Sequence, residues 1–99
     1  MASISVSTRV HGFVQGVGYR AWLQRRALSR GLQGWTRNRD DGSVEAVLIG
    51  PADKVDEALA LMRSGPPGAR VDHVATRPAE AGEIALATEN EDFAILPTL

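Results

Sequence analysis

The dipeptide Asp41-Gly42 limits the fold of this chain more than any other feature. It lies within LQGWTRNRDDGSVEAVLIG, where two strand-like runs flank RDDGS. An Asp-Gly pair between such runs is a strong hairpin signal, because glycine accepts the positive φ that a tight turn demands. The middle of the chain is thereby committed to an antiparallel pair. The second run, Ser43 to Ile49, ends apolar on both faces with Val47, Leu48 and Ile49, as an interior strand covered by helices requires. Gly50-Pro51 then stops it.

The flanking segments complete a pattern. Residues 3–11, SISVSTRVH, alternate: Ile4, Val6, Thr8 and Val10 share one face, and Ser3, Ser5, Ser7 and Arg9 the other. That predicts a strand with one buried face. Tyr19, Trp22, Leu23 and Ala27 recur at helical spacing, Leu28 is placed on the same side, and Gly31 is the C-terminal stop. The spacing predicts a helix from Tyr19 to Arg30. After Gly50-Pro51, Val55, Ala58, Leu59 and Met62 mark a second helix. Asp53, Asp56 and Glu57 lie near its positive end and Arg63 near the other. SGPPG ends it, and ARVDHVATRP alternates as a fourth strand. The alanine- and acid-rich stretch from Ala79 to Asp92 has weak periodicity and reads as a solvated connection. It leads to a short final strand, Phe93 to Leu96. The order is β-α-β-β-α-β plus a short strand: an α+β, ferredoxin-like split βαβ sandwich, with an antiparallel sheet and two helices on one face.

At 99 residues the chain suits a single domain, residues 1–99, with one core. The absence of cysteine removes disulfides, thiolate metal sites and thiol nucleophiles. No signal peptide or apolar stretch of membrane-spanning length is legible, so a cytoplasmic protein without a membrane partner is expected. The formal charge of −1 lacks the basic surplus of a nucleic-acid binder. A local cluster, Arg20, Arg25, Arg26 and Arg30, is mostly explained as a solvated helix face. Arg20 is the exception.

Arg20 lies within HGFVQGVGYRAW, just after three glycines in seven residues. A strand entering a glycine-rich turn and then a helix brings several N–H groups together at the positive end of the helix dipole, a setting suited to anions. Three readings are open. Gly12, Gly16 and Gly18 permit a tight turn and nothing more. GVGYRA matches the dinucleotide fingerprint, with Asp40 about 20 residues on, but that acid falls in a hairpin turn and the chain is too short for the fold concerned. The third is a phosphate cradle with its own cation. A cation in the first helical turn opposes the dipole, and an anion held between loop amides and guanidinium resolves that conflict.

The same residues carry a family resemblance. VHGFVQGVGYRAW, with GLQGWTRNRDDGSVEAVLIG at the right spacing, resembles the acylphosphatases, whose pattern runs approximately G-x-V-Q-G-V-x-F-R and then G-x-x-G-W-x-x-N-x-x-D-G-x-V-E. Gly12, Val14, Gln15, Gly16, Val17 and Arg20 fall on the first half. Gly31, Gly34, Trp35, Asn38, Asp41, Gly42, Val44 and Glu45 fall on the second. The resemblance implies metal-independent and cofactor-free hydrolysis of the carboxyl-phosphate bond of small acyl phosphates. It implies that Arg20 and the backbone amides of Gln15, Gly16, Val17, Gly18 and Tyr19 bind the phosphoryl group, with phosphate or sulfate as simpler occupants, and that Asn38 positions the attacking water. A monomer is expected. Tyr19 stands where phenylalanine is commoner, and its hydroxyl requires a partner. Thr36 stands where an aliphatic residue is usual.

Other chemically suggestive residues receive plainer readings. His11 and His73 are isolated strand residues that make no metal site. Trp22 and Trp35 belong to core faces, Asp41 to turn chemistry and Asp40 to hairpin solvation. The acids from Glu80 to Asp92 have no assigned role. RNA binding would need aromatics interleaved on an exposed sheet, and five aromatic residues in all, two of them core tryptophans, do not supply it. The rival to an enzyme is a non-catalytic acyl-phosphate or anion-binding module, since the family's fold also occurs as a domain of larger carbamoyl-transfer proteins.

Overall fold

The computed structural model describes residues 2–90 and 92–99. Its elements are β1 (Ser3–Phe13), α1 (Tyr19–Ser29), β2 (Gln33–Asn38), β3 (Val44–Pro51), α2 (Ala52–Ser64), β4 (Arg70–Pro78), α3 (Ala81–Thr88) and β5 (Phe93–Ile95). They form one five-stranded sheet in the order β4-β1-β3-β2-β5. The split βαβ reading holds, with two additions described below.

The alternation in β1 determines which residues meet. Val10 faces Val44, Thr8 faces Ala46 and Val6 faces Leu48 across the antiparallel β1–β3 pair. Val10, Val44, Ala46 and Leu48 enter one core cluster with Tyr19, Trp22, Leu23 and Ala27 of α1 and Val55, Ala58, Leu59 and Met62 of α2. Both long helices therefore cover the same face. Leu28, expected on the buried side, is 45% exposed. The helix ends a residue early at Ser29, and Gly31 turns the chain with φ of 68°. In the β2–β3 hairpin, Asp41 Oδ1 accepts hydrogen bonds from Ser43 N–H at 2.9 Å and from Ser43 Oγ–H, the turn chemistry expected of it. Thr36, fully buried where an aliphatic residue is usual, donates its hydroxyl to the Glu45 carbonyl at 2.9 Å, so no polar atom is stranded.

The stretch from Ala79 to Asp92 is not a solvated connection: residues 81–88 form α3 on the opposite face of the sheet. Trp35 and Val47 point to that face and are covered there by Ala87, with Leu86, Ile49 and Ala94 around them. Trp35 Nε1–H donates to the Glu83 carbonyl at 2.9 Å. Glu91 lies outside the described residues. The final strand also differs from expectation, since β5 runs parallel to β2 and makes the sheet mixed.

One carboxylate fastens α3. Glu83 accepts two hydrogen bonds from Arg77, both 2.8 Å, one from the Glu80 N–H at 2.8 Å and one from Ser7 Oγ–H at 3.1 Å. The Arg77 bonds chiefly hold its pKa down to about 2, from 4.5. The stabilisation therefore needs the ionised carboxylate. It is complete above pH 4.5 and is lost as the pH falls towards 2. Arg77 is half exposed, which discounts the effect to about 1–2 kcal/mol. Glu83→Gln should lower stability by that amount at pH 7, with the gap closing in chemical denaturation curves recorded at progressively lower pH. A gap that stayed constant from pH 7 to 2 would exclude this account.

Candidate active site

The glycine passage joins β1 to α1 at the end of the sheet where β2 enters its hairpin. Gly16 and Gly18 have φ of 76° and 79°, the left-handed region that favours glycine, and a Cβ at either would meet nothing within 4 Å. These glycines thus serve backbone conformation, and the space above them is open. Gly18 is also the N-cap of α1; it offers no side-chain cap, and no acid occupies the first turn. The first turn's N–H groups are left to other acceptors.

The loop is anchored from both sides. The Gln15 side-chain amide donates to the Arg39 carbonyl at 2.8 Å and to the Ser43 carbonyl at 2.9 Å, tying the loop to the hairpin. Its side chain is committed there, so any contact with an anion falls to its main chain. Tyr19 is buried and donates its hydroxyl to the Met62 carbonyl at 2.8 Å, which supplies the partner that its phenol requires. Burial pushes its pKa up, so it offers no acid near neutral pH.

A cavity of about 190 Å³ opens between this loop and β2, lined by Val14, Gln15, Gly16, Gly18, Tyr19, Arg20, Ala21, Asn38 and Ile95. Arg20 and Asn38, 18 positions apart in sequence, meet at one opening. Val17 is not part of the lining; it packs against the main core. Val14, Ala21 and Ile95 had no sequence signal as lining residues. Ile95 arrives only because parallel pairing sets it opposite Thr36, near Asn38. The tail continues that pairing: Leu96 N–H donates to the Thr36 carbonyl at 2.9 Å, Leu99 N–H to the Asn38 carbonyl at 3.2 Å and Asp40 N–H to the Leu99 carbonyl at 3.2 Å.

Charge singles out Arg20. Arg9, Arg30, Arg37 and Arg39 are half-buried like it, and each forms a carboxylate pair. Among the described residues, Arg20 alone of these half-buried arginines has none. A second cavity, about 180 Å³, opens on the other face beside Ser7, Arg9, Glu45 and Arg77. Its arginines are already paired with Glu45 and Glu83, so it has no spare cation for an anionic ligand. Among the described residues no group of three or more His, Cys, Asp or Glu could hold a metal ion. No helix among them is long and apolar enough to cross a membrane.

Fold and site together define a ferredoxin-like α+β sandwich with a glycine loop, Arg20 and Asn38 around one opening at the end of its sheet. The family model for acylphosphatase matches residues 6–95. An acylphosphatase from Bradyrhizobium diazoefficiens is 46% identical over 99 residues, covering 100% of each chain. The crystal structure of acylphosphatase from Bacillus subtilis superposes with a TM-score of 0.82 at 30% identity, covering 94% of this chain and 98% of that one. A full-length HypF structure, at 22% identity and a TM-score of 0.81, matches 98% of this chain but 12% of its own, and it attests the fold alone. The chain belongs to the acylphosphatase family.

Proposed function

We propose that the chain is a single-domain, monomeric enzyme that hydrolyses the carboxyl-phosphate bond of small acyl phosphates without a metal, at the opening between the glycine loop and Asn38. The observation that carries this reading is Arg20, a half-buried guanidinium without a carboxylate partner among the described residues, beside uncapped helix N–H groups. The amides of residues 15–20 and the Arg20 fork take the phosphoryl oxygens. The Asn38 amide holds a water in line with the bond to be broken. The water oxygen bonds to phosphorus, the bond from phosphorus to the acyl oxygen breaks, and its electron pair leaves on the carboxylate. The water's proton passes to phosphate or solvent. A carboxylate is a good leaving group and needs no strong acid, which suits a lining with none poised near neutral pH. Arg20 and the loop dipoles supply the charge that a metal supplies elsewhere.

Benzoyl phosphate hydrolysis in the presence of a chelator tests this. Asn38→Ala should lower kcat by about 10²–10³ while inorganic phosphate binds as tightly as to wild type. Unimpaired turnover in Asn38→Ala would remove the water-positioning role. The second reading is a non-catalytic anion-binding module, prompted by the likeness to a segment of HypF. Wild-type protein that bound phosphate without turning over substrate would establish it.

A further inference from the structure

His11 and His73, expected to be isolated, are in contact. They occupy directly opposed positions on β1 and β4, at the last regular pair before the register shifts at Gly12. Their rings stack with centroids 4.4 Å apart and planes 13° from parallel. His11 lies on the face of β1 that carries Ser7 and Arg9, away from α1 and α2, and α3 packs over β2 and β3 instead. The pair is therefore open to solvent on a rigid sheet.

We propose that His11 and His73 form a binding site for a divalent transition-metal ion, Cu(II) foremost, bridging β1 and β4 on the open face of the sheet. Imidazole suits copper, nickel and zinc, and affinity for nitrogen sites peaks at Cu(II). With metal–nitrogen bonds of about 2.0 Å, two nitrogens at a right angle on one ion stand about 3 Å apart. The rings must leave the stack and open about their side-chain torsions so that their in-plane lone pairs converge on the ion, and directly opposed strand positions, with Cβ atoms about 4.5–5.5 Å apart, keep both within reach of it. The local field is permissive. Arg9, two residues along the same face, is drawn to Asp41 at 3.5 Å and Glu45 at 3.6 Å. Hydrogen bonds from Ser43 chiefly keep the Asp41 carboxyl below its usual range, with Arg9 and His11 adding to the effect, so it contributes negative potential near the rings. No third His, Cys, Asp or Glu completes the set among the described residues, so water fills the other positions and the ion stays exchangeable.

Calorimetric titration of untagged protein with Cu(II) in a non-coordinating buffer is the test. One equivalent should bind, and binding should weaken in the order copper, then nickel or zinc. Loss of a mere supporting contact costs about 10–100-fold in metal affinity, so His11→Asn and His73→Asn should each cost at least that. Circular dichroism confirms that each variant is folded. Acyl phosphate hydrolysis should be unchanged in both, which separates this site from the phosphoryl site. Absence of stoichiometric binding, or wild-type affinity in either folded variant, would overturn the proposal.

Discussion

Arg20→Ala is expected to lose acyl phosphate hydrolysis by about 10³-fold or more and to lose inorganic phosphate binding with it, in a protein that still folds. The fold should survive because Arg20 has no ion pair to break among the described residues, and a cation in the first turn of α1 opposes the helix dipole. The cost falls on the anion. Without Arg20 the phosphoryl group meets backbone dipoles alone, in a cavity whose lining contains no other cation. Arg20→Lys should recover part of the rate, since the charge returns without the planar fork that engages two oxygens at once. Steady-state kinetics with phosphate as competitor measure both effects. A folded Arg20→Ala protein with near-normal kcat/KM would remove the central claim about this site.

The second large effect concerns Glu45. Its side chain is only 7% exposed and sits among Arg37 at 2.9 Å, Arg39 at 3.2 Å and Arg9 at 3.6 Å. Glu45→Ala would leave three guanidiniums facing one another, and deleting one partner of such a buried group typically costs about 3–5 kcal/mol. That is a large share of the total stability of an ordinary domain. Urea unfolding should show the midpoint fall, and added salt should recover part of the loss by screening the arginines. A kinetic consequence is also expected. Arg37 and Arg39 flank Asn38, and strand alternation turns Asn38 towards the opposite face. Pinning both neighbours to Glu45 holds the Asn38 amide at the cavity, so kcat should fall more than phosphate affinity. If Glu45→Ala unfolded at the wild-type midpoint, the arginine cluster would be solvated and energetically idle.

How much of this could be read from residues alone depends on whether the signal was local. The Asp41-Gly42 turn, the alternation of β1, the apolar spacing of α1 and α2 and the glycines before Arg20 are all short-range patterns, and the fold follows from them. Helix α3 was not legible. AGEIALAT is rich in small residues, and Ala87 is the one residue of it that is fully buried. Its partner is Trp35, on the outward face of a strand, so the segment gains its cover from a tertiary contact and lacks the apolar stripe that marks a helix. The parallel direction of β5, the approach of Ile95 to the cavity and the meeting of His11 with His73 all depend on pairings between distant segments. Glu45 matched a family pattern, but nothing in its neighbourhood announced that Arg9, 36 positions earlier, would share it with Arg37 and Arg39.

The hydrogen bonds between the tail and β2 bear on how the protein is made. The glycine loop and Arg20 are translated early, yet the backbone beside Asn38 gains its last partners from residues 96–99. A ribosome that has synthesised both long helices and four of the five strands still holds a chain whose site lacks one wall. Competence for hydrolysis therefore waits on residues 95–99, and enzymatic activity is a more stringent report of completed folding than helix content.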